Sequence, residues 1–273
     1  LGTLPASVLA LMGNFLLSFG MVLQKKNVSW IGASDRSTRE YHSACLGWFA
    51  GFILMNIQPI FNYLALMGLD ANVVSALIGA NVAFTAILAA TMLHEKLGRA
   101  RFFYILLLFA AMALAGARGA AVGKRGAPEI FNTGMFYLFF AVPLAAAAIV
   151  LLIRMKRTGR GLAVIIAGIA GCIGGYTVLS MRAVQLVAGS NIWAWFLTPY
   201  LYTYLVSGIA SFLIIQVAYK DGEMQAVAPA YYGMQVIWPA VAAYFVLGST
   251  FDLLQALAFV CVAFSIVMIS KSS

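Results

Sequence analysis

The sequence predicts an all-α polytopic membrane protein of about nine transmembrane helices, and three observations carry that prediction. The chain has 273 residues, of which 63% are hydrophobic and 9% charged, with a mean hydropathy of +0.96. Soluble domains carry about 25% charged residues, and so few charges cannot cover a water-facing surface. Apolar stretches recur along the chain at about the 20 residues a helix needs to cross a bilayer. The seventeen basic residues, set against eight acidic ones for a net charge of +9, fall in short connections between those stretches, as the positive-inside rule expects. In a soluble chain such a charge would point to nucleic acid. Here no RNA- or DNA-binding pattern accompanies it, and nucleic acid is not an expected partner.

Taken in order, the predicted spans are residues 4–24, 45–66, 72–93, 102–119, 131–153, 162–181, 193–217, 226–247 and 251–270. The first ends in Lys25–Lys26 with no small-residue cleavage site. Although the chain begins at Leu1 rather than Met, this reads as a retained helix and not a signal peptide. The longest connection, 25–44, holds "SDRSTRE" and is too polar to span. Tight turns are expected at "GLDAN" (68–72) and "YKDGEM" (219–224). "HEKLGR" (94–99) reads as the cytoplasmic cap of the third span, with Glu95 four residues before Arg99 and able to pair with it. On alternate sides of the membrane the basic residues divide thirteen to four among the seventeen. The richer side is cytoplasmic by the positive-inside rule, which places the N-terminus outside and the C-terminus inside, in the cell membrane.

Residues 73–89, "VVSALIGANVAFTAILA", align with 227–243, "VAPAYYGMQVIWPAVAA". Val73, Ala76, Gly79, Val82, Ala86 and Ala89 meet identical residues, Asn81 falls on Gln235, and Phe84 falls on Trp238. The offset lays the first four spans over the last four. A single domain, 1–273, is therefore expected, with repeat one at 1–119, a linker helix at 131–153 and repeat two at 161–273. One odd helix between the repeats inverts the second, and inverted repeats place a substrate site near mid-membrane.

Unsatisfied polar groups are costly in lipid, so those within the spans should face inward. They are Asn14 and Ser18 on the first span, Asn56, Gln58 and Asn62 around Pro59 on the second, Asn81 and Thr85 on the third, Thr177 and Ser180 on the sixth and Gln216 at the end of the seventh. The eighth span adds Tyr231, Tyr232, Gln235 and Trp238 between Pro229 and Pro239. Proline removes a backbone donor and frees a carbonyl upstream, a defect tolerated where a helix packs on protein or lines a cavity. A single amide in a membrane helix often only bonds its neighbour, with couplings averaging about 0.6 kcal/mol. The whole set, on at least four helices in both halves, points to a polar cavity. Its substrate-binding residues are expected to be Asn14, Asn56, Gln58, Asn62, Asn81, Tyr231, Tyr232, Gln235 and Trp238. Gly168, Gly171, Gly174 and Gly175 allow close helix approach and are read as packing.

Enzyme chemistry has no foothold. His42 and His94 lie in or beside connections, and no G-x-S-x-G, H-E-x-x-H or P-loop pattern occurs. Cys45, Cys172 and Cys261 are too scattered for a zinc site or a disulfide framework. Carboxylates stay at span ends, where Asp70 and Asp221 could gather a hydrated divalent ion at a pocket mouth.

"SFGMVLQKKN" (18–27), the stretch from "NYLALMGLDANVV" to "TMLHEKLGR" (62–99) and "AVAPAYYGMQVIWPAVAAYFV" (226–246) carry a family resemblance in their order and spacing. The chain resembles the drug/metabolite transporter superfamily, which includes EamA-like members, and most of all its NIPA-like magnesium transporter branch. The resemblance implies secondary transport by alternating access, nine helices, no enzymatic activity and no cofactor. The expected partners are a small-molecule or ion substrate and the lipid bilayer, and no oligomeric state is implied. Neutral amides and aromatic faces suit a small polar solute, whereas Mg²⁺ usually takes carboxylates and retained waters. A small-solute carrier is therefore the leading expectation. A divalent-cation carrier, a lipid or lipid-linked sugar flippase and a non-transporting assembly subunit are the alternatives.

Overall fold

The computed structural model describes residues 3–31, 37–66, 79–123, 131–189, 191–249 and 252–271. Nine long helices carry these residues, and there is no strand among them. They are α1 (Thr3–Lys26), α2 (Arg39–Leu66), α3 (Ala80–Met92), α4 (Arg99–Gly123), α5 (Thr133–Lys156), α6 (Arg160–Ala188), α7 (Pro199–Asp221), α8 (Met224–Leu247) and α9 (Leu253–Lys271). Eight of them are long and apolar enough to cross a membrane. The exception is α3, whose predicted start at 72–78 lies outside the described residues. Large apolar side chains such as Leu46, Ile53, Phe103, Leu152 and Val260 are exposed along the helices. That distribution is expected where lipid is the solvent.

Local chemistry sets several helix ends. Thr38 Oγ1 accepts from Tyr41 N at the start of α2, Asn132 Oδ1 from Met135 N at α5, and Asp252 Oδ1 from Gln255 N at α9; such caps satisfy orphan donors of the first turn. Two predicted spans end elsewhere. The sixth runs on to Ala188 and stops at Gly189, whose φ of 57° terminates the helix. At 29 residues, α6 outruns a hydrocarbon core of about 30 Å, so Arg182 stays helical instead of lying in a connection. The seventh starts late, at Pro199, the first helical position after Thr198, where a missing N–H costs nothing. Ahead of it Ile192–Trp195 forms a separate single turn.

The chain divides into two compact units. One comprises Leu1–Val122, Glu223–Pro229 and Asp252–Ser273; the other comprises Gly123–Gly222 and Ala230–Phe251. In the first unit α1 and α2 pack antiparallel through small residues. A Cβ on Gly20 would lie 2.5 Å from the Gly51 carbonyl oxygen, and a Cβ on Gly51 would lie 2.5 Å from that of Gly20. Gly47 abuts the Asn27 side chain at one end of this seam, and Gly13 abuts Phe61 at the other. In the second unit α6 lies along both α7 and α8. Gly171 faces the Tyr231 carbonyl, and Gly175 faces the Gln235 carbonyl and Pro239. Gly171 and Gly175, four apart on α6, thus serve backbone approach as their spacing predicts, whereas Gly174 faces side chains and Gly168 only the Met234 side chain. An aromatic cluster of Phe136, Tyr176 and Tyr200 fills this unit's core, and the Tyr176 hydroxyl donates to the Phe136 carbonyl.

Candidate functional site

In the first unit the predicted polar groups of α1 and α3 form one buried seam. Asn14 and Ser18 are four residues apart and share a face of α1; Asn81 and Thr85 do the same on α3. Asn14 and Ser18 are fully buried, and Asn81 and Thr85 are each 1% exposed. The Ser18 hydroxyl donates to the Asn81 carbonyl at 3.1 Å. Phe15 meets Phe84 edge to face at 5.7 Å between ring centres. The seam is neutral, offering amide and hydroxyl groups and no charge.

The α2 amides behave differently. Asn56 is exposed, and its amide donates to its own helix at the Phe52 carbonyl, 2.8 Å away. Gln58 is half-buried, and its backbone carbonyl faces Gly13. Asn62 lies on α2, but its side chain, like all of Asp70, falls outside the described residues.

A second cluster of the first unit was only partly legible in the sequence. Glu95 does not pair with Arg99. The backbone leaves α3 after Met92, His94 takes a φ of 55°, and α4 starts only at Arg99, so the two residues never share one helix face. Instead the Glu95 carboxylate accepts from Met224 N at 2.7 Å and Gln225 N at 2.9 Å. It thereby caps the first turn of α8, where orphan N–H groups and the helix dipole favour a negative charge. The Gln225 amide donates back to the Glu95 carbonyl at 3.1 Å. Arg101, 4% exposed, donates to both Glu223 Oε2 and Gln225 Oε1 at 3.0 Å. The signal for this cluster was an acid just past a helix end, in a chain with few carboxylates.

In the second unit the Tyr231 hydroxyl lies 3.3 Å from Ser211 Oγ, which donates to the Ala170 carbonyl at 2.7 Å. The Gln235 amide stands against Gly174 beside them. Tyr231 and Gln235 are half-buried, and Tyr232 is buried. The indole N–H of Trp238 donates to the Phe139 carbonyl at 3.2 Å. That carbonyl is the one left without an intrahelical donor by Pro143, four residues on. Asp221 has both oxygens engaged by Arg154, at 2.7 and 3.2 Å.

Of the nine predicted site residues, the structure therefore places Asn14 and Asn81 in one buried seam, and half-buried Tyr231 and Gln235 side by side against Gly174. Among the described residues no group of three or more His, Cys, Asp or Glu could hold a metal ion. The sequence profile of the family described as Magnesium transporter NIPA matches residues 4–269.

The chain belongs to the NIPA magnesium transporter family.

Three NIPA relatives from Arabidopsis thaliana are similar to it. "Probable magnesium transporter NIPA1" is 23% identical over 86% of this chain and 74% of its own length. "Probable magnesium transporter NIPA3" is 25% identical over 66% of this chain and 50% of its own, and "Probable magnesium transporter NIPA5" is 26% identical over 83% and 62%. No solved structure matches the chain. Membership agrees with the resemblance to the drug/metabolite transporter superfamily and with a transporter instead of an enzyme.

Proposed function

We propose that this protein carries Mg²⁺, or a similarly hydrated divalent cation, across the membrane. The observation that carries the reading is the NIPA profile, which covers every helix from α1 to α9. The donor chemistry supports it in a specific form. Mg²⁺ dehydrates reluctantly and keeps several waters, so neutral amide and hydroxyl groups can hold it through its water shell. This reverses the order in which the sequence alone ranked ion and solute.

The carrier works by alternating access between two inverted repeats, 1–119 and 161–273, joined by the helix at 131–153. It sits in the cell membrane with its N-terminus outside. Two observations support the repeat. Asn81 belongs to a helix packed on α1, the first helix of its half, and Gln235 to one packed on α6, the first helix of the other half. In this reading Asn14 and Asn81 of the first unit, and Tyr231 and Gln235 of the second, are the predicted residues that contact the ion. Trp238 acts chiefly through the Phe139 carbonyl.

A second reading, a small polar solute, is favoured by one arrangement: the Tyr231 hydroxyl and the Gln235 amide converge on Gly174. Purified protein in liposomes loaded with a Mg²⁺-sensitive dye separates the two. Saturable Mg²⁺ influx is expected, and protein-containing vesicles no faster than empty ones would refute the cation reading.

A further inference from the structure

Two side-chain oxygens on one face of α3, Asn81 Oδ1 and Thr85 Oγ1, are buried and have no hydrogen-bond partner among the described residues. Both residues are only 1% exposed. Thr85 is exceptional on its own helix. Thr91, six residues on, satisfies its hydroxyl by donating to the Ile87 and Leu88 carbonyls at 3.0 and 3.3 Å. The equivalent acceptor for Thr85 is the Asn81 carbonyl, and that oxygen already accepts from Ser18 at 3.1 Å. Ser18 thus holds the α3 backbone in place while the two α3 side-chain oxygens stay uncommitted. Buried acceptors without donors cost free energy, and a chain keeps them where something else supplies the donor.

We propose that Asn81 and Thr85 form a cation-binding site in the α1–α3 seam, where both oxygens accept hydrogen bonds from the water shell of a divalent ion. This rests on the reading of the protein as a Mg²⁺ carrier and names the site of recognition. Residues four apart on a helix stand about 5–6 Å apart at Cβ, a spacing that lets two oxygens address neighbouring waters of one hydrated ion. The chemistry of the pair is selective in kind. An amide oxygen and a hydroxyl accept from polarised water without the full charge of a carboxylate, so the ion is held and released without being stripped. Low exposure means that the ion is loaded only when the seam opens.

The test uses the full chain in two assays, Mg²⁺ influx into liposomes and thermal stabilisation by MgCl₂ in detergent. N81L and T85V are expected to fold, to raise the half-saturating Mg²⁺ at least tenfold and to lose the MgCl₂-induced rise in Tm. T85S, which keeps the hydroxyl, is expected to rescue both. Cobalt(III) hexammine, which presents N–H donors where Mg²⁺ presents water, is expected to compete with Mg²⁺. Wild-type influx with unchanged half-saturation and unchanged stabilisation in N81L and T85V would overturn the site while leaving the transport reading standing. Failure of the hexammine to compete would overturn recognition through the water shell. Wild-type vesicles that move no Mg²⁺ overturn the transport reading, and MgCl₂ stabilisation with and without N81L then still decides the site. Should N81L fail to fold, T85V against T85S carries the same comparison.

Discussion

One carbonyl in α5 shows how a residue met as a substrate contact acquires a structural task. Pro143 leaves the Phe139 carbonyl without its helical donor, and the Trp238 indole supplies one at 3.2 Å. Replacing Trp238 with Phe keeps the ring and removes the N–H, so stability is expected to fall by about 1 kcal/mol. Pro143→Ala restores the backbone donor and should make the same Trp238 change nearly silent. A double-mutant cycle on thermal unfolding reads the coupling; strict additivity would show that the two residues act separately. Glycine at the α1–α2 seam is a second residue-scale constraint. Gly20→Ala drives a Cβ to 2.5 Å from the Gly51 carbonyl, and the helices must part, at a cost of about 1–3 kcal/mol. A melting temperature equal to that of the wild type would show the seam to be looser than described. The polar types of Asn14, Asn81 and Gln235 were legible in the sequence because amides are conspicuous in apolar spans. Which of them had uncommitted atoms was not, because the answer lies in the partners: Asn56 bonds its own helix, while Asn81 Oδ1 has no partner among the described residues.

At the scale of elements, spans were legible and the ties between them were not. Eight of the nine predicted stretches correspond to helices long enough to cross, because hydropathy needs only composition over about 20 residues. The cap that Glu95 places on α8 joins residues 129 and 130 positions apart in sequence, and no local pattern encodes it. Glu95→Ala strips two backbone donors of their acceptor and should lower stability by about 1–2 kcal/mol; Glu95→Gln keeps an acceptor oxygen and should lose less. An Ala variant as stable as wild type in a thermal-shift assay would remove the cap from the account. Arg154 and Asp221 tie the end of α5 to the end of α7, with side chains 27% and 16% exposed. A partly solvated pair of this kind contributes about 1 kcal/mol or less. The R154D/D221R exchange is accordingly expected to recover most of the loss seen in D221R alone.

For the whole molecule, the expectations concern flux and sidedness. Exchanging both Asn81 and Gln235 for Leu should abolish Mg²⁺ uptake while the protein still inserts and unfolds cooperatively. Full uptake by that double variant would remove the amides from the path. A cysteine at Ser37, in the connection ahead of α2, should react only with reagents that reach the cytoplasmic side. Labelling from outside would reverse the orientation that the basic residues predict.

The sequence by itself determined the class of molecule, its helical spans and its family. Those properties follow from averages over long windows and from the order of motifs along the whole chain. Tertiary structure alone decided which polar atoms are committed and which stay open. An amide's role depends on what stands within about 3 Å of it, and in this fold that neighbour comes from another helix.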